Sequence, residues 1–137
     1  MAILKHCAEA GTRVEFSFIY HIPGYYEGCQ MNFRYFKADQ LLYDLDFGWT
    51  NITLTSYINV TSNFPLDRLE RIELEGLYVS FEKHLYQLEW AEVETDSGMY
   101  KLRFFGSDQD FQLVSDVESV RKFGRDLASD WADAPVR

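Results

Sequence analysis

The sequence predicts an α+β domain: an antiparallel β-meander sheet with a short middle helix and a C-terminal amphipathic helix packed on one face. Three observations predict it. Apolar residues alternate with polar ones over several stretches, the period of two of a half-buried strand. Short turns rich in Gly, Pro, Asn, Asp and Ser separate these stretches and leave no room for parallel crossovers. Near the C-terminus the spacing changes to three and four, the period of a helix. At 137 residues, the chain can bury one proper core and is read as a single domain, 1–137.

Val14, Phe16, Phe18 and Tyr20 alternate with Glu15, Ser17 and Ile19 as a first strand, which Pro23 and Gly24 stop. Met31, Phe33 and Tyr35 make a second, and Leu41, Tyr43, Leu45 and Phe47 a third. Ile52, Leu54, Ile58 and Val60 share one parity and are expected as a fourth. Residues 65–75 admit two readings. A helix would take Ser62 or Asn63 as its cap, Pro65 in its first turn and Gly76 beyond its end, with Leu66, Leu69 and Ile72 inward. A hairpin would turn at Glu75-Gly76 and pair Ile72 and Leu74 with Leu77 and Val79. The helix is favoured.

Leu77, Val79 and Phe81 then form a strand, as do Tyr86, Leu88 and Trp90, then Tyr100, Leu102 and Phe104, and last Phe111 and Leu113. Turns are expected at Thr95–Gly98 and Gly106–Gln109. Ser115 and Glu118 have the spacing of a capping box. Val117, Val120, Gly124, Leu127 and Trp131 follow as one apolar stripe, ending near Pro135.

The N-terminal apolar patch is interrupted by Lys5 and His6, so no secretory h-region is expected, and no apolar run reaches the length of a membrane span. The expected location is the cytoplasm, where Cys7 and Cys29 stay reduced and the sequons at Asn51 and Asn59 are silent.

The formal charge is −9 and uneven. Residues 1–66 hold six acids against four bases, and residues 67–137 hold sixteen against nine. Such a field repels nucleic acid and anionic membrane and favours a basic partner, although acidity also serves plain solubility.

Little in the sequence points to chemistry. His6 and Cys7 are adjacent and point apart on either a helix or a strand. With His21 and Cys29 they lack the close ligand pairs of a structural zinc site, so no metal or cofactor is expected. Asp46-Phe47-Gly48 spells the kinase metal-binding tripeptide without its companion motifs and is read as a turn. Glu92, Glu94 and Asp96 share a strand parity and are read as a solvated face, not as metal or catalytic carboxylates.

The stretch LEWAEVETDSG surrounds Trp90 with Glu89, Glu92, Glu94 and Asp96 and contains no base. If Trp90 points inward, a bulge near Ala91 brings Val93 in and gathers the acids at one rim, with Asp108 and Asp110 of the next turn beside them. A basic protein would relieve their repulsion, while Tyr25, Tyr26 and Tyr78 would supply rigid contact area. The expected function is therefore non-catalytic binding of a basic protein. The alternative is an aromatic-lined β-sheet enclosing a small apolar ligand or acting as a modest enzyme. A third reading is a homodimer or a subunit of a larger assembly, which would need an apolar outer patch.

The order of β-meander, FPLDRLERIELEG, LYVSFEKHLYQLEW, YKLRFF and VESVRKFGRDLASDW resembles small acidic immunity proteins of bacterial polymorphic or contact-dependent toxin systems. The resemblance covers roughly the second half of the chain and implies an inhibitor that covers a toxin's active site or an essential surface. It carries no binding residues across. Phage-encoded inhibitors of nucleic-acid-binding defence systems are similar in size and charge.

Overall fold

Alternation in the first fifty residues folds as four strands paired in chain order: β1 (Ala2–Lys5), β2 (Arg13–His21), β3 (Gly28–Lys37) and β4 (Gln40–Thr50). The computed structural model describes residues 1–65, 71–73, 87–106 and 109–137. After β4 comes α1 (Asn51–Ser62). A second antiparallel meander follows, β5 (Arg71–Glu73), β6 (Gln87–Glu92), β7 (Met99–Phe105) and β8 (Asp110–Asp116), and α2 (Val117–Asp133) closes the chain. The fold is α+β, with two four-stranded sheets among the described residues where the sequence suggested one.

The expected strand over Ile52 to Val60 is helix α1, because local bonds and burial outweigh β-propensity. The Thr50 hydroxyl caps the helix by accepting the Thr53 N–H at 3.1 Å. Thr55 and Thr61 donate their hydroxyls to the carbonyls of Asn51 and Tyr57, each at 2.8 Å, so branched polar side chains are satisfied within the helix itself. β-Branched residues each disfavour a helix by roughly half a kcal/mol. Burial of Leu54 and Tyr57 on the inner face contributes about 2 kcal/mol apiece.

The middle helix thus lies at 51–62, and the reading that placed it over 65–75 is corrected. Arg71–Glu73 is extended and pairs antiparallel with residues 87–89, Ile72 opposite Leu88. The alternative turn at Glu75-Gly76, the strand through Leu77, Val79 and Phe81, and Tyr86 lie outside the described residues. Asp46-Phe47-Gly48 is not a turn: it runs through the middle of β4, opposite Asn32, Met31 and Gln30. β1 went unpredicted. Ala2 and Leu4 are buried while Ile3 and Lys5 face out, but four alternating residues are too short a signal to read.

Helix α2 begins one residue later than the capping box implied. Asp116, not Ser115, is the cap, and its carboxylate accepts the Ser119 N–H at 2.7 Å. Ser115 remains in β8, buried. The inner face carries Val120, Gly124 and Leu127 as expected, together with Phe123, while Val117 and Trp131 pack at its margins.

Both sheets and both helices meet in one core. At its centre the Phe16 ring lies 5.2–6.2 Å from the rings of Phe33, Phe47, Trp49, Tyr57, Phe104 and Phe123, which come from β3, β4, α1, β7 and α2. A second ring cluster joins Phe64 to Trp90 and Tyr100. The high aromatic content is therefore spent largely on filling the interior. Where α1 crosses α2, Gly124 lets the helices come close: a Cβ there would meet Ser62 N at 2.5 Å and Ser62 Oγ at 2.8 Å.

Candidate functional site

The acidic stretch does not gather at one rim. β6 pairs with β7 without a register shift through Ala91↔Lys101 and Glu92↔Tyr100, so no bulge forms and Val93 lies outside at 53 % exposure. In a meander, successive turns fall on opposite ends. Glu92, Glu94 and Asp96 flank the turn at one end, while Asp110 pairs with Phe105, which in turn faces Gln87 at the other. Five strand residues, roughly 17 Å, separate the two. Asp108 lies outside the described residues.

Nor are these acids uniformly uncompensated. Arg103, on the outer face of β7, donates to Glu89 at 2.7 Å and to both carboxylate oxygens of Asp110, at 3.2 and 3.0 Å. The hydrogen bonds it donates to Asp110, and then to Glu89, raise the guanidinium's pKa. The same contact with Arg103 holds the Asp110 carboxyl below its ordinary range. Glu92 serves the backbone, its carboxylate accepting the N–H groups of Asp96 and Gly98 at 3.2 and 3.1 Å. Those bonds brace a turn in which both residues have positive φ. Glu92, Glu94 and Asp96 are all exposed with no cation at their carboxylates among the described residues.

Tyr25 and Tyr26 are placed quite differently. They form the tip of the β2–β3 connection, 70 % and 77 % exposed, with their rings edge to face at 4.8 Å. The loop carrying them is fixed from below. Asn51, the first residue of α1, donates its side-chain amide to the carbonyls of Ile22 and Gly24 at 3.0 and 2.7 Å, and its backbone N–H to Glu27 at 2.8 Å. Ile22 N–H to Gly28 and Glu27 N–H to Gly24 close the turn. Gly28 is required at its exit, since a Cβ would strike the Trp49 carbonyl of the neighbouring strand. Two open depressions of about 260 Å³ flank the loop, one along Tyr20, Tyr26, Glu27 and Trp49, the other along Tyr25, Asn51, Ile52 and Thr55.

Tyrosines and acidic turn occupy opposite poles. The acidic turn leads into Met99, which pairs with Asp116, the cap of α2. At the far end of α2, Pro135 accepts the His21 N–H, and His21 ends the strand that enters the tyrosine loop. The helix between them spans roughly 25 Å. Tyr78, the third expected contact, lies outside the described residues.

The cysteines are Cys7 and Cys29, and the two described histidines are His6 and His21. His6 Nδ1 accepts the N–H groups of Ala8 and Glu9, each at 3.1 Å. Cys7 is exposed. Register sets His21 opposite Cys29, but the Cys29 thiol is buried, points to the Trp49 carbonyl and is pushed up to about 12 by desolvation. Among the described residues no group of three or more His, Cys, Asp or Glu side chains is arranged to hold a metal, and no helix is long and apolar enough to cross a membrane.

Sequence reasoning missed Asn51 except as a sequon. Its signal was faint: an Asn directly after a capping Thr, with a Pro-Gly-Tyr-Tyr loop far off in sequence. Comparison of the chain with protein-family models, with curated proteins and with solved structures gave no match.

Proposed function

We propose that the chain is a non-catalytic binding protein of the inhibitor type, immunity or anti-defence, that docks on a basic protein through its Tyr25–Tyr26 loop. The observation that carries this reading is a pair of exposed rings on a loop whose backbone Asn51 anchors. Tight interfaces concentrate binding free energy in a few aromatic anchors, and a loop already fixed in place loses little entropy when it is covered. The partner is taken as basic because the chain carries −9, and a nuclease toxin or nucleic-acid-binding effector has that chemistry. Acids and aromatics act in sequence and not on one face: the overall field favours encounter, and the tyrosines make the contact. Packing of the interior rings on Phe16 weighs against the aromatic-lined ligand pocket.

The test is affinity capture with two baits, wild type and the double variant Tyr25→Ala, Tyr26→Ala, from cells that encode the partner. A basic protein held by wild type and released by the double variant, with affinity falling as salt rises, is the expected result. A partner retained equally by both baits would remove the tyrosine loop from the function.

A further inference from the structure

The depression beside Tyr26 combines features that suit one kind of occupant. Tyr20, Tyr26 and Trp49 contribute to its wall, and Glu27 stands at its edge. Glu27 is exposed and has no ion pair among the described residues, yet its backbone is tied at both ends, the N–H to Gly24 and the carbonyl to Asn51. Glu27 and Tyr26 thus line the same depression from a backbone held in place. Asp133 ends α2 at the same pole, exposed, and no cation among the described residues reaches it.

An internal contact shows what this wall accepts. Arg137 donates its backbone N–H to His21 at 2.9 Å and lays its guanidinium over the Tyr20 ring, 4.7 Å from the centroid. A ring that takes one guanidinium on its face, next to a second ring and an unpaired carboxylate, has the components of a cation cage. Tyrosine faces attract the planar guanidinium by both charge and stacking, and a carboxylate alongside adds charge-assisted hydrogen bonds.

We propose that this depression receives the guanidinium of an arginine side chain from the basic partner, with Tyr26 as its stacking face and Glu27 as its counter-charge. The proposal rests on the reading of the tyrosine loop as the docking surface and narrows it to one residue type on the other side. Net charge favours the same occupant, since any arginine-bearing surface approaches a molecule of −9.

The test uses the full chain, labelled with nitrogen-15, titrated with the blocked tripeptide acetyl-Gly-Arg-Gly-amide. A matched citrulline peptide serves as control, having the same shape without the charge. The arginine peptide should shift the amides of Tyr26 to Gln30 and Thr50, binding at least about fivefold tighter than citrulline, the size of one exposed cation–π contact. Glu27→Gln and Tyr26→Leu should each weaken it by about the same factor, with the rest of the spectrum unchanged, while Glu94→Gln at the far pole should not. Equal binding of the two peptides, or shifts centred on residues 92–96 and indifferent to Glu27→Gln, would overturn the cage. Failure of the docking reading would show separately, as partner capture that survives loss of both tyrosines.

Discussion

Gly124→Ala sets two effects of known size against each other. In the middle of a helix, alanine is favoured over glycine by about 1 kcal/mol, so on propensity alone α2 should gain stability. The new Cβ, however, would collide with Thr61 Oγ1 and lie 2.5 Å from Ser62 N and 2.8 Å from Ser62 Oγ. Ser62 N is backbone and cannot rotate away. Ordinary contact needs roughly 3.5 Å, so the helices must separate by about 1 Å along a seam where Val120, Phe123 and Leu127 are buried on α2. Overpacking of that kind costs about 1–3 kcal/mol, and a rigid seam belongs at the upper end. Net destabilisation of about 1–2 kcal/mol follows, a fall in Tm of roughly 4–8 °C for a domain of this size. Urea unfolding followed by circular dichroism should show a lower midpoint with an unchanged slope. Ala128→Gly, on the exposed face of the same helix, isolates the propensity effect at about 1 kcal/mol. A Gly124→Ala protein that melts at or above wild type would mean the helices do not approach as described.

Three other sites give further expected outcomes. Asn51→Ala removes two hydrogen bonds under the tyrosine loop, one of them to the exposed Gly24, and should cost about 1–2 kcal/mol while amide exchange of Gly24 to Gly28 accelerates; unchanged exchange would mean the loop is held by other means. Cys29 has its pKa raised from 9.0 to about 12, so the stability it confers is complete below pH 9 and lost as pH rises towards 12; buried Tyr57, also raised, adds to the loss. Cys29→Ala should make the alkaline decline in urea midpoint shallower, and thiol reagent at neutral pH should label only Cys7 until the chain unfolds. Arg103→Gln should let the Asp110 carboxyl titrate at higher pH in a carbon-13 NMR titration, since Arg103 is the main cause of its lowered value. That lowered value contributes stability above the ordinary carboxylate range and loses it as pH falls, so the variant should also show weaker acid dependence. Its cost near neutrality should stay below about 1 kcal/mol because all three groups are partly exposed.

Long alternations were legible in the sequence, and short or competing ones were not. β2, β3 and most of β4 show an apolar residue at every second position over five or more residues, which admits one reading. α2 is equally plain, since its stripe runs for four turns. Residues 51–62 carry both periods at once: Ile52, Leu54, Ile58 and Val60 fit a strand, while Leu54, Tyr57 and Thr61 fit a helix face. β-Branched composition tilted the choice the wrong way, and the deciding bonds, from Thr53 to Thr50 and from Thr61 to Tyr57, are invisible in composition. Ser115 shows the same limit at one residue's scale. It had the right spacing for a cap, but strand pairing of Tyr100 with Ser115 keeps it in β8 and passes the cap to Asp116.

At the candidate site, exposure of Tyr25 and Tyr26 could be anticipated from a Pro-Gly turn, and convergence of the acids could not. A count of carboxylates along the chain carries no information about which sheet end each one reaches. Consecutive hairpins alternate ends by construction, so Asp110 had to fall away from Glu92 once β6, β7 and β8 paired in order. Arg103 sat between them in sequence as well, and its strand parity placed it beside Glu89.

Separation of the two poles fixes how charge can act on a partner at the tyrosine loop. At physiological ionic strength the Debye length is about 8 Å, so the roughly 25 Å along α2 is about three screening lengths and attenuates a charge at Glu94 or Asp96 to about a twentieth. Those acids can therefore influence encounter only in dilute salt. Glu27 and Asp133, at the tyrosine pole, act at contact range under all conditions. Charge reversal at Glu94 should slow association at about 10 mM salt and lose its effect near 150 mM, whereas reversal at Glu27 should weaken binding at both and appear in the dissociation rate. Stopped-flow or surface-based kinetics at the two salt concentrations would separate these. If Glu94 and Glu27 proved equally important at 150 mM, the partner would have to span both poles, and a single anchoring loop would no longer account for recognition.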